Sequence, residues 1–344
     1  MNRRKISIIA VLLVLLILAV AGCGKKEVEK KSVKKRTSKK REVKPGTLLI
    51  PSPLDGIKAA PEKVNRQALA VMVENLVNIR PQAGISQASL VVEGLAEGGI
   101  TRFMLVYLEK DADNIGPIRS ARSHFVALAK GWDALYAHVG GSKFALADIK
   151  RFQLDDLDQY AHASGYHRIK SARAPHNVFS STEKLRKIKK STLMPPPAFS
   201  FKSDADKNSR PGEQSILIDF SFSNYAVKWA YDKATNKYKR FNGGRPHKDA
   251  ATGKQLEAKN NLIMYAPTFP ITGTPLLDIK TVGQGRLQVM RDGEVLDGEW
   301  FRQSVDSPLV LKDSSGNNIE LDRGQVWLEL VKPTTPVKIS TTQS

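Results

Sequence analysis

The stretch Glu97-Gly98-Gly99-Ile100-Thr101-Arg102-Phe103, followed by Gly116-Pro117-Ile118-Arg119-Ser120-Ala121-Arg122-Ser123, decides how this chain is read. From Glu93 to Gly141 it predicts a strand, a glycine turn, a second strand, a helix opening at Gly116-Pro117 and a further strand ending in Gly140-Gly141-Ser142. Proline at the first helical position costs no hydrogen bond, because that N–H has no partner inside a helix. Ile118, Ala121, Phe125, Leu128 and Trp132 recur at helical steps and mark the core face. Arg119, Arg122 and Ser123 then fall on the adjoining face, with the two guanidiniums as neighbours. Cations at the positive end of a helix dipole are unfavourable unless an anion joins them. Two partners fit: Glu93 or Glu97 in a structural ion network, or an anionic ligand.

The runs at 68–75, 89–93 and 102–109 are nearly continuous in apolar residues, the pattern of strands covered on both faces. With a strand at 134–139 and a helix at 142–151 they predict an α/β domain over 46–197, a mixed sheet with helices. Ser142 suits the N-cap, which would occupy its hydroxyl. The glycine pair before it would also let a ligand approach the helix amides. A short basic helix at 181–190 reads as superficial, and Pro195-Pro196-Pro197 ends the region. A polar linker follows at 198–211. Short alternating pieces between 212 and 333, separated by turns such as Asn242-Gly243-Gly244 and Asp292-Gly293, predict a β domain, a sandwich or a barrel, with a tail at 334–344. Trp229, Tyr231, Tyr238, Trp300 and Trp327 are core candidates, with an aromatic sugar platform as the alternative.

The start of the chain is read differently. Asn2-Arg3-Arg4-Lys5 precedes an apolar run from Ile6 to Ala19, and Val20-Ala21-Gly22-Cys23 closes it with small residues before the single cysteine of the sequence. That order predicts a lipoprotein signal peptide over 1–22, with Cys23 acylated and anchored in the membrane; a short membrane anchor with an incidental cysteine is the alternative. Eleven Lys/Arg against three Glu fill 23–45, which reads as a disordered basic tether, either plainly solvated or drawn to an anionic leaflet or wall polymer. That segment contributes +8 of the formal net charge of +20. The high charge is therefore largely terminal, and together with export it argues against a nucleic-acid partner.

Several motifs fail. Asp111-Ala112-Asp113-Asn114-Ile115-Gly116 begins like a calcium loop but places Arg122 where a bidentate glutamate is required. Ser181-Thr182-Glu183-Lys184 fits Ser-x-x-Lys without the Ser-Asp-Asn or Lys-Thr-Gly partners of a penicillin-binding site. Gly283-Gln284-Gly285 lacks the third glycine of a dinucleotide fingerprint. His162 and His167 match no metal spacing. The reading expects no cofactor and no metal.

The strings at 88–93, 97–103 and 116–122, with His138-Val139-Gly140-Gly141-Ser142 and Ala174-Pro175-His176-Asn177, resemble the family of the Bacillus lipoprotein YerB over most of residues 50–332. The resemblance implies envelope placement and a two-domain plan, and brings no established chemistry. From the residues, two functions are expected. In the first, a non-enzymatic module on the outer face of the bacterial cytoplasmic membrane binds an anionic cell-wall polymer or envelope protein. Its candidate residues are Glu93, Glu97, Thr101, Arg102, Arg119, Ser120, Arg122, His138, Gly140, Gly141, Ser142, Arg173, His176 and Asn177. In the second, Glu93 or Glu97 with His138 or His176 supplies acid and base for an envelope hydrolase, while the arginines clamp the anion.

Overall fold

The apolar runs of the first half fold as strands: Leu69–Glu74 (β1), Leu90–Leu95 (β2), Thr101–Tyr107 (β3) and Leu135–His138 (β4), joined by Asp155–Asp158 (β5). Every residue of β1 to β4 is buried, as expected of strands with layers on both faces. This computed structural model describes residues 48–189 and 199–341. The leader read over 1–22, Cys23, the basic tether and Pro195-Pro196-Pro197 lie outside the described residues.

In the second half the larger strands are Gln214–Asp219 (β6), Ala226–Asp232 (β7), Lys237–Asn242 (β8), Asn260–Tyr265 (β9), Gly283–Arg291 (β10), Glu294–Arg302 (β11), Val310–Asp313 (β12), Val326–Val331 (β13) and Val337–Thr341 (β14). The α/β character of the first half and the β character of the second both hold. The halves are joined, however, within one compact unit from Gly46 to Ser344. A ten-stranded sheet runs β12-β11-β10-β9-β13-β2-β3-β1-β4-β5 and takes half its strands from each. At the junction β13 lies parallel to β2, with Glu329 opposite Glu93, and parallel to β9 on its other side. Around β3 the pairing is antiparallel.

Alternation along these strands builds two cores. One face carries Ala70, Met72, Leu90, Val92, Leu328 and Leu330 against Phe125, Leu128 and Trp132 of the helix Ser123–Gly131 (α1) and Ile149 of Lys143–Arg151 (α2). The other carries Val71, Val73, Val91, Phe103, Leu105 and Trp327 against a second sheet. In that six-stranded sheet Arg245–Pro246, β8, β7, β6 and β14 follow one another, and Glu257–Ala258 also pairs with β8. Ile216, Ile218, Val227, Trp229 and Tyr238 point inward from it. The molecule is thus layered as helices, large sheet and small sheet. Burying each large apolar side chain contributes about 1.5–3 kcal/mol, and the five aromatic residues Trp229, Tyr231, Tyr238, Trp300 and Trp327 are core, each 5% exposed or less.

Three readings are corrected. The helix expected from Gly116-Pro117 starts only at Ser123, after Arg122 as its extended N-cap. The backbone before it is spent sideways: Glu74 N donates to Pro117 O at 3.0 Å, Ile118 N to Val178 O at 2.7 Å and Arg119 N to Met72 O at 2.9 Å. Gly116 is needed there for close approach, since a Cβ would lie 2.7 Å from the Phe179 ring. The helix expected at 181–190 is Thr182–Ile188 (α3), and it is anchored by the fully buried Leu185 and by Arg186, which donates to Gln67 O at 2.7 Å. The expected tail contains β14, which pairs with β6.

Candidate functional site

Because 116–122 is extended, Arg119 and Arg122 lie on different partners. Arg122 grips Glu97, with Nε to Oε2 at 2.7 Å and Nη2 to Oε1. Arg102, projecting from β3, is 3.3 Å from the same carboxylate and donates to Ser120 O at 2.9 Å. Burial acts to raise the Glu97 pKa, but the Arg122 hydrogen bond and the charges of Arg102 and Arg122 outweigh it and hold the carboxyl down at about 2. Burial, then the charge of Arg122, lowers Arg102 to about 10, still protonated at neutral pH. Among the described residues Arg102 Nε has no hydrogen-bond partner. His124, in the first turn of α1, is fully buried; burial first, then Arg122 and Arg102, push it down to about 3. That ring is neutral.

Arg119 turns to Glu74, with Nε 3.4 Å from Oε1, and donates to Pro175 O. The His176 ring meets the same carboxylate, Nδ1 to Oε2 at 2.8 Å. Arg119 and His176 remain partly open, with side chains 20% and 26% exposed. Arg173 is exposed, and Asn177 Oδ1 accepts from Arg168 at 2.7 Å. His138 is buried, with Nδ1 2.8 Å from Gly140 O and Nε2 2.9 Å from Asp156 Oδ1. Gly140 N donates to Asp158 at 2.9 Å. Gly141 lies beside Ala121, where the two chain segments make an isolated bridge. Ser142 caps α2 by accepting from Ala145 N at 3.1 Å, so its hydroxyl serves the backbone.

Glu93 stands apart from this cluster. It lies on the opposite face of β2 from the helices, sealed between the two sheets and fully buried. Thr101 Oγ1 donates to it at 2.6 Å and Asn75 Nδ2 at 3.2 Å. Its charge partner is Arg240 of β8, whose Nη1 also reaches Glu329 at 2.9 Å. The guanidinium is enclosed by the rings of Phe103, Trp229 and Trp327, at 5.7, 5.0 and 4.1 Å from their centroids. Two carboxylates on one arginine would leave a buried negative charge. Burial, reinforced by Glu93, pushes Glu329 up to about 8 despite Arg240, so at neutral pH it holds a proton and the cluster is neutral. Arg240 Nε donates to His247 Nδ1 at 3.0 Å; the neutral ring therefore carries its hydrogen on Nε2 and donates to Gln82 Oε1 at 2.8 Å. Burial and the nearby arginines keep His247 well below its usual range.

Arg240, Glu329, Glu74, Arg80 and Asn242 are the polar residues that sequence reasoning missed. Arg240 was accessible to it: Tyr238, Arg240 and Asn242 share one face of an alternating strand, so an inward tyrosine implies an inward arginine. Glu329, an acid in the otherwise apolar run of β13, carries the same kind of signal. Among the described residues no group of His, Cys, Asp and Glu is placed to hold a metal ion. No described helix is long and apolar enough to cross a membrane.

Comparison with known proteins places this architecture. Residues 54–194 match the N-terminal domain, and residues 216–328 the C-terminal domain, of the protein family of unknown function DUF3048. The chain is similar to YerB of Bacillus subtilis (strain 168), a protein whose name describes it as a lipoprotein, with 28% identity over 301 residues, 84% of this chain and 88% of that one. The crystal structure of Bacillus subtilis YerB superposes with a TM-score of 0.77 at 27% identity, covering 85% of this chain and all of the other.

Proposed function

The chain belongs to the DUF3048 family, and we propose that it is a lipid-anchored binding module of the bacterial cell envelope. Acylated Cys23 holds it on the outer face of the cytoplasmic membrane, and the arginine cluster engages an anionic wall polymer or an acidic partner protein. The observation that carries the reading is a charge imbalance. Arg102, Arg119 and Arg122 act on one another and on Glu74 and Glu97, three guanidiniums against two carboxylates. The surplus positive charge sits where Arg119 and Arg122 reach the surface, and guanidiniums suit planar or tetrahedral oxyanions. Binding is favoured over hydrolysis because Glu97, held at about 2, is a poor base and is not available as an acid near neutrality. Glu93 is sealed from any substrate.

One observation favours the hydrolase as the second reading: Glu74 orients His176 at 2.8 Å, an arrangement that suits a general base. The full chain in nonionic detergent, titrated with teichoic-type polymers and peptidoglycan, tests both. Saturable binding that disappears in Arg119→Ala/Arg122→Ala, without turnover, supports the module. Turnover that disappears in His176→Ala would establish the hydrolase instead. Binding intact in the arginine double variant would remove this cluster as the site. For the anchor, Cys23→Ser is expected to abolish labelling by a palmitate analogue and to release the protein from membranes.

A further inference from the structure

A cleft lies on the seam between the two family halves, and its lining shares no residue with the arginine cluster. It has a volume of about 410 Å³, with Val77, Arg80 and Pro81 on one side and Asn242, Gly243 and Arg245 to Lys248 on the other. Arg80, Arg245 and Lys248 line it, and among the described residues no acidic one does. None of the three is ion-paired among the described residues. Arg80 is fixed by hydrogen bonds to uncharged groups, Nε to Asn75 Oδ1 at 2.9 Å and Nη1 to Asn224 O at 2.7 Å, and not by a direct ion pair. Burial lowers its pKa and outweighs the opposing charge of Glu93, the cost of holding a cation there. Arg245 and Lys248 are exposed at the rim. Asp249, the neighbouring acid, is turned away and spent on Ser86 and Gly84.

Asn242 adds a second, independent feature. It is only 5% exposed, and its Nδ2 donates to Asn75 Oδ1 at 3.3 Å. That orientation leaves Oδ1 without a donor among the described residues. Buried acceptors in native proteins are ordinarily satisfied, so an orphan in the wall of a cationic cleft points to a group that arrives with a ligand. The ligand must therefore be anionic and also offer a hydrogen-bond donor. Three cations without an acid favour a phosphate over a single carboxylate, and both guanidinium and ammonium bind phosphate oxygens. The volume admits a molecule of about sugar-phosphate size.

We propose that this cleft binds a hydroxyl-bearing phosphate ester, its phosphate held by Arg245 and Lys248 in the field of Arg80 and a neighbouring hydroxyl donating to Asn242 Oδ1. The site is independent of the Arg119 and Arg122 cluster. Such a group occurs as a free or polymeric polyol phosphate and as a glycerophospholipid headgroup.

The full chain in nonionic detergent is titrated calorimetrically with sn-glycerol 3-phosphate, inorganic phosphate and dihexanoyl phosphatidylglycerol. Glycerol 3-phosphate is expected to bind more tightly than inorganic phosphate. Arg245→Ala/Lys248→Ala, both at the surface, should weaken it about tenfold or more with an unchanged melting temperature. Asn242→Ala should remove the preference over inorganic phosphate. If that variant does not fold, the surface double variant alone decides. Tighter binding of the lipid assigns the headgroup as source, and tighter binding of glycerol 3-phosphate assigns the free or polymeric ester. The proposal is overturned by absence of saturable binding to all three probes, or by binding unaffected in Arg245→Ala/Lys248→Ala. It is also overturned by binding lost in Arg119→Ala/Arg122→Ala, which would transfer the ligand to the other cluster.

Discussion

Two regions of this molecule use the same chemistry, arginine against glutamate, to opposite effect. Between the sheets, Arg240 meets Glu93 and Glu329 with no solvent exposure of any of the three side chains. At the start of α1, Arg102 and Arg122 share a Glu97 whose side chain is 32% exposed. The sealed group carries an excess of acid and balances it by protonating Glu329. The open group carries an excess of base and leaves it unbalanced. Desolvation makes the difference: a buried net charge is prohibitive, whereas one near the surface is tolerated and remains available to a ligand.

The largest effect is expected for Arg240→Met, which leaves Glu93 buried without its cation. A loss of about 3–5 kcal/mol is expected in denaturant unfolding. Glu93→Gln added to that variant should recover part of the loss, since both charges are then gone; additive losses would show that the pair is not coupled.

The next largest effect concerns pH. The Glu329 pKa is raised in the folded protein to about 8 from an ordinary 4.5, so between those values the folded state holds a proton that the unfolded state releases. Its contribution is fully present below pH 4.5 and is lost as pH rises through 8. Glu329→Gln keeps the shape and removes the titration. It is expected to flatten the fall in melting temperature between about pH 5 and 8; an unchanged slope would show that Glu329 is already ionised.

Glu97→Gln should cost less, about 1–2 kcal/mol, because part of the carboxylate is hydrated. Its pKa is depressed, so the sign is reversed: the contribution is present above 4.5 and lost as pH falls towards 2. Acid unfolding of wild type and Glu97→Gln should therefore converge at low pH. The smallest effect is expected for Glu183→Gln, which removes an exposed partner of Lys187 and should leave the melting temperature unchanged. A measurable drop there would mean that burial does not set the ranking.

What could be read in advance follows the same division between local and distant causes. Ser142 as a cap, the doubly covered strands and the β character of the second half are written in neighbouring residues. The helix start expected at Gly116-Pro117 has a sound local signal, but the deciding hydrogen bonds come from Met72, Glu74 and Val178. Glu74 as the partner of Arg119 and His176 had no local signature, since His176 lies 102 positions away. Arg240 and β14 were both legible as alternation. The first is masked because a charged residue rarely points inward, the second because Thr334, Thr335 and Pro336 precede it and suggest a tail.

The place of β13 in the large sheet also bears on how the protein is made. Leu90–Leu95 leaves the ribosome long before Val326–Val331, its neighbour in the sheet. Throughout that interval one edge of β2 lacks its final partner, and Glu93 waits for a cation that arrives with residue 240. A nascent or prematurely terminated chain therefore presents an unpaired apolar strand with a carboxylate in it, a target for chaperones and proteases. Only a chain that contains both Leu90–Leu95 and Val326–Val331 can pair both edges of β2 and close the central sheet.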